Sequence, residues 1–135
     1  MKQILIFASL FLLNSYAKAQ TFKIVNQTDC ENINWAVFAD DAGSCSGSYA
    51  TAYINILPRD STIIDASTAD WISDAPKGSY QWNFSVVNDP DGYCSVGRPC
   101  TGFRTTADFS TTCGGLIFAV WSIDGSGNVR VLVYY

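Results

Sequence analysis

The run Leu116–Tyr135, LIFAVWSIDGSGNVRVLVYY, constrains the chain more than any other stretch. It reads as two apolar strands joined at Asp124-Gly125-Ser126-Gly127-Asn128. Alternation puts Ile117, Ala119, Trp121 and Ile123 on one face of the first strand, with Phe118, Val120 and Ser122 on the reverse. In the second, Val129, Val131, Val133 and Tyr135 share a face. β-Branched and aromatic residues dominate, and the turn glycines can take up positive φ. Both strands carry apolar groups on both faces, which places the hairpin centrally in a sheet. A hairpin alone is marginal in water, so strands from upstream must cover it.

Those strands are visible as alternating segments: Thr21–Val25, Ile33–Ala39, Ser48–Leu57, Thr62–Ala66, Ser79–Val87 and Phe103–Phe109. In Ser79–Val87 the pattern sets Tyr80, Trp82, Phe84 and Val86 against Gln81, Asn83, Ser85 and Val87. Pro58-Arg59-Asp60-Ser61 makes a tight turn, Ser67–Gly78 is irregular with Asp70-Trp71-Ile72 as a candidate turn of helix, and Asn88–Gly102 reads as a long loop. About eight strands with turn signals every 8–12 residues and no helical period predict an all-β fold, an antiparallel two-sheet sandwich. A closed β-barrel is the alternative.

Residues 1–19 carry the pattern of a secretory signal peptide: Lys2, the apolar run Ile4–Leu13, and Ala17-Lys18-Ala19 as a small-x-small cleavage site. That run is too short for a membrane span, which needs roughly 20 residues. The expected mature chain is a single domain over residues 20–135, secreted or periplasmic, with no membrane span. Without Lys2 and Lys18 it holds six basic residues against twelve acidic ones, which argues against nucleic acid as a partner.

All five cysteines (Cys30, Cys45, Cys94, Cys100 and Cys113) lie in the exported part. Their default fate there is disulfides with one thiol left over. If each segment above is one strand, successive loops fall at opposite ends of the molecule. Cys45–Cys113 is then the natural pair at one end, and Cys94–Cys100 can close a small loop at the other. Cys30 pairing with Cys94 or Cys100 is the competing arrangement.

The chain contains no histidine, which excludes histidine-based triads, histidine general bases and histidine-ligated zinc. No cofactor and no metal are expected. Eleven aspartates and the single glutamate, Glu31, sit mostly in turns, where they favour local capping over a catalytic pair. Asp89-Pro90-Asp91-Gly92 and Asp124–Asn128 space their oxygens as calcium loops do, yet neither leads to a bidentate glutamate. Asn26-Gln27-Thr28 and Asn83-Phe84-Ser85 match the glycosylation sequon by chance, and Asp60-Ser61-Thr62 resembles a bacterial O-glycosylation motif.

The aromatic content offers the candidate ligand face: Tyr49 and Tyr53, four residues apart on one strand, with Trp71 in the following loop. Such a platform stacks on sugar rings or grips a protein surface. The expectation is a non-catalytic binding module for carbohydrate or an extracellular surface protein. An inhibitor or neutraliser of a secreted enzyme or toxin, inserting Asn88–Gly102, and a small carboxylate-dependent hydrolase are the alternatives.

Thr21–Asn26, then Cys30 and Trp35-Ala36, resembles the opening strands of thaumatin-like proteins, disulfide-rich β-sandwich proteins of defence, some of which bind or cleave β-glucans. The resemblance covers under twenty residues and lacks their acidic-cleft residues, so it implies a fold and no site. In general plan the chain is also similar to short exported bacterial β-sandwich proteins of unassigned function.

Overall fold

The computed structural model describes residues 20–135; the expected signal peptide lies outside the described residues. Ten strands form: β1 (Phe22–Asn26), β2 (Ile33–Asp41), β3 (Tyr49–Ala50), β4 (Ile54–Ile56), β5 (Ser61–Ile64), β6 (Tyr80–Asn88), β7 (Tyr93–Gly97), β8 (Thr106–Thr111), β9 (Gly115–Ile123) and β10 (Val129–Tyr134). They make two sheets, neither closed into a barrel. One runs β5-β1-β10-β9-β8; the other runs β3-β2-β6-β7, with β4 also on β2. The fold is the expected all-β two-sheet sandwich. The C-terminal hairpin is central as anticipated, but β1 pairs with β10 in parallel, so the first sheet is mixed rather than wholly antiparallel.

The core is the sum of the inward-facing alternations. Phe22 and Ile24 of β1, Trp35 and Val37 of β2, Ile117 and Ala119 of β9, and Val131 and Val133 of β10 are all fully buried. The Phe22 ring lies 5.3 Å from that of Trp35, 5.8 Å from Trp82 and 6.0 Å from Trp121. Each valine, isoleucine and phenylalanine among them contributes about 1.5–3 kcal/mol through burial.

Two local irregularities overturn expected faces. Between β2 and β6, Phe38 faces Phe84 but Ala39 faces Trp82, leaving Asn83 as an extra residue. Because side chains alternate with period two, one added residue reverses every face beyond it. Trp82 and Val87 therefore both enter the core, while Phe84 and Val86 turn outward instead of sharing the face of Trp82. Outside, Phe84 stacks on Phe38 at 4.3 Å and meets Phe103 at 4.7 Å. It lies against Gly97, where a Cβ would fall 2.5 Å from its own Cβ. Asn83 holds the bulge by donating to the carbonyls of Ser44 and Ser46, at 3.0 and 2.6 Å. Both sequon asparagines, Asn26 and Asn83, are fully buried.

The second irregularity splits the expected strand Ser48–Leu57. Tyr49 is in register with the inward Ala39 and Ile54 with the inward Trp35, five residues apart along the chain, so the face switches between β3 and β4. Thr51 occupies the switch, donating its backbone N–H to Val37 O and accepting Val37 N–H on its hydroxyl at 3.0 Å. Thr51 also bridges to Trp71, so the helical turn expected at Asp70–Ile72 is instead extended chain against the sheet edge.

The expected disulfide pairing is corrected. The bonds are Cys30–Cys113 and Cys45–Cys100, with Cα separations of 5.5 and 5.8 Å, and Cys94 is the free thiol. Neither Cys45–Cys113 nor Cys94–Cys100 forms. The cause is an additional strand in the stretch Asn88–Gly102, which contains β7 and a turn of 3-10 helix at Pro99–Thr101 rather than a long loop. Running β7 down the sheet carries Cys100 to the opposite end from Cys94 and moves Cys113 to the end that holds Cys30.

Cys94 sits at the head of β7, buried, with its thiol pKa pushed up to about 12 by desolvation and by the neighbouring Asp108 carboxylate. Iodoacetamide at pH 8 is expected to leave Cys94 unmodified in the native protein and to label it in denaturant, as peptide mapping would report. The unfolded thiol ionises near its ordinary value of 9.0, so above that pH the unfolded state holds fewer protons than the folded one. This thiol's contribution to stability is complete below pH 9 and falls by about 1.4 kcal/mol per pH unit towards the folded pKa. Urea midpoints of wild type and Cys94→Ala, compared from pH 8 to 11, check the slope.

Candidate functional site

The three aromatic residues that the sequence suggests do not form one platform. Tyr49 and Trp71 come together at the sheet edge, their rings 6.4 Å apart, and both pack against the core. Trp71 stacks on Trp82 at 5.7 Å and donates its indole N–H to Ala66 O at 3.0 Å. The Tyr49 hydroxyl donates to Asp41 Oδ1 at 3.1 Å, an interaction that raises its pKa. These two rings close the open edge of the sandwich. Tyr53, beyond the face switch, stands on the outer surface with 57% of its area exposed.

The surface that Tyr53 joins is the outer face of the second sheet. There Asn55, Asn34, Asn88 and Tyr93 lie in one cross-strand row over β4, β2, β6 and β7. Tyr53 and Tyr93 flank a depression of about 530 Å³, with Val86, Asn88, Asp89 and Asp91 also lining it. Tyr93 is 72% exposed. Among the described residues neither tyrosine stacks on another ring or hydrogen-bonds through its hydroxyl, unlike Tyr49, Tyr80 and Tyr135. The Oδ1 atom of Asn88 is buried without a hydrogen-bond partner. Tyr93 is missing from the expected ligand face because its strand lies in a stretch whose composition predicts a loop.

The rim is rigid. Asp89 Oδ1 accepts the N–H groups of Asp91 and Gly92 at 2.8 and 2.9 Å, tying the β6–β7 turn. Asp91 Oδ2 accepts the Thr112 hydroxyl at 2.6 Å and its N–H at 3.1 Å, and these bonds hold the Asp91 carboxyl below the usual carboxylate range. The depression thus has an ionised carboxylate on its rim and no arginine or lysine in its lining.

The other aspartate-rich segments serve local structure. Asp124 Oδ1 accepts the N–H groups of Ser126 and Asn128 at 2.8 and 3.0 Å, in a turn where Gly127 takes φ +83°. Asp40 receives the hydroxyls of Ser44, Ser46 and Ser48, which lower its pKa and fasten the loop carrying Cys45. Among the described residues no group of three or more acidic or cysteine side chains is placed to hold a metal ion, and no helix is long and apolar enough to cross a membrane.

What the fold and this face define is a class: an all-β two-sheet sandwich bound by two disulfides, with an aromatic and amide surface on one sheet. No family model matches the chain, and no curated protein or solved structure matches it either.

Proposed function

We propose that this chain is an exported, non-catalytic binding module that meets its ligand through the outer face of the second sheet. The observation that carries this reading is the pair of exposed tyrosines, Tyr53 and Tyr93, on either side of one depression. Two exposed tyrosines bordering one depression make a contiguous aromatic surface, and such surfaces mark interaction sites more than singly exposed rings do. Carbohydrate and extracellular surface protein are the partner classes. Two disulfides support an oxidising compartment. The absence of histidine and the use of Asp40, Asp91 and Asp124 in local hydrogen bonds support binding rather than turnover.

The test is co-sedimentation of the purified mature protein with insoluble cellulose, chitin and β-1,3-glucan, and with bacterial and yeast cells before and after protease treatment. Wild type is expected to pellet with at least one of these surfaces. The double variant Tyr53→Ala/Tyr93→Ala is expected to stay in solution, while Ile63→Ser, at a 59%-exposed position on the other sheet, still pellets. Failure to pellet with every surface, equal loss in Ile63→Ser, or release of soluble sugar from any polysaccharide overturns the reading.

A further inference from the structure

Resting on that reading of the face, we infer that the depression between Tyr53 and Tyr93 is a cradle for an uncharged, extended oligosaccharide. Three features select this chemistry. The first is the spacing of the rings. Tyr53 precedes β4 and Tyr93 opens β7, and three strand intervals separate those strands in the order β4, β2, β6, β7. At about 4.8 Å per interval the two strands stand roughly 14 Å apart, a span one sugar ring does not cover and a short linear oligosaccharide does. Tyr53 lies two residues along the chain from Asn55, the β4 residue in the row of Tyr93.

The second is the surface between the rings. Val86 provides an apolar patch and Asn88 a polar one in the same depression. A pyranose has the same duality, with a C–H-bearing face that stacks on an aromatic ring and hydroxyls around its edge. The Asn88 Oδ1 atom has no donor, and the terminal amide torsion is soft. Turning the amide offers either an acceptor or N–H donors to a bound hydroxyl. Both rim carboxylates are pure acceptors, and their backbone and Thr112 bonds fix them before any ligand arrives.

The third is charge. With Asp89 and Asp91 on the rim and no arginine or lysine in the lining, uronate, sulfate and phosphate groups meet repulsion with nothing to pair them. Anionic saccharides are therefore disfavoured, and because both carboxylates already accept hydrogen bonds from N–H and hydroxyl donors of the chain itself, a neutral saccharide is the ligand taken to fit.

The experiment is isothermal titration of the mature protein with the linear dimers and hexamers of glucose (β-1,4 and β-1,3), N-acetylglucosamine, xylose and mannose, with hexagalacturonate as the acidic comparison. At least one neutral hexamer is expected to bind, more tightly than its dimer, and hexagalacturonate is not. Tyr53→Ala and Tyr93→Ala are each expected to weaken that hexamer on the order of ten-fold. Both positions are exposed, so the variants keep the fold, and an unchanged urea midpoint verifies it. Absence of binding by every neutral hexamer, preference for hexagalacturonate, or indifference to both substitutions overturns the cradle. Tyrosine-dependent cell binding that protease treatment abolishes, with no hexamer bound, removes the oligosaccharide and leaves the binding face standing. Loss of both sedimentation and titration signals removes both.

Discussion

Replacing Cys30 and Cys113 together by serine is expected to cost about 4.5 kcal/mol of folding stability. The bond closes a segment of sequence separation 83, and the loss is the loop-closure entropy returned to the unfolded chain. Domains of this size have roughly 5–15 kcal/mol in all, so the loss takes from about a third to nearly all of the margin. The bond also anchors a local cluster. Tyr135 accepts Asp29 N–H on its hydroxyl at 3.1 Å, beside the cysteine sulfurs, and Asp29 pairs with Arg59 at 2.8 Å. That exposed ion pair adds little itself. The measurement is the urea midpoint and slope of the double variant, together with thiol mapping. Cys45–Cys100 should remain intact in the variant and Cys94 should stay the single thiol. A Cys45 that becomes alkylatable there would mean that Cys45 had been bonded to Cys113, and β7 could not then carry the chain from one end of the sandwich to the other.

The second large effect is expected at Trp82. Trp82→Ala should destabilise by about 4 kcal/mol, within the usual range for a buried tryptophan. The side chain is fully buried, its ring packs against Trp71, Tyr80 and Phe22, and its indole N–H donates to Gln20 O at 3.1 Å. Truncation leaves a cavity between the sheets and releases the Trp71 edge. Phe84→Ala, two residues on, should cost clearly less, because the bulge at Asn83 puts that ring on the partly solvated outer face. Chemical denaturation of both variants separates the two environments. Equal losses would mean that the two rings share the core and that β6 has no bulge.

Trp82 and Phe84 face opposite sides of the sheet although only Asn83 stands between them. Alternation over Tyr80–Val86 is uninterrupted in the sequence, so Trp82 and Phe84 carry the same local signal. Nothing local announces that Asn83 will be left over, because the bulge is stabilised from outside the strand, by carbonyls of the Ser44–Ser46 loop. The face switch at Thr51 is similar: its hydroxyl bonds a neighbouring strand. Tyr49 and Tyr53 keep a spacing that is right for one face, and a single slip separates them. Strand β7 is hard to see in the sequence because YCSVG is short and bounded by Asp, Gly and Pro, which are loop formers in most contexts.

By its sequence alone this chain is committed to an all-β fold, because period-two alternation and a central C-terminal hairpin bury its valines, isoleucines and tryptophans only between strands. The choice of two open sheets over a closed barrel is made by the tertiary structure. The expectation of disulfides was equally legible, because an even set of cysteines plus one follows a leader-like start. Which cysteines meet, and which tyrosines face water together, only the tertiary structure decided. Pairing and facing depend on the parity of strands and residues between two points, and parity changes with one short strand or one bulge whose stabilising partners lie far along the chain.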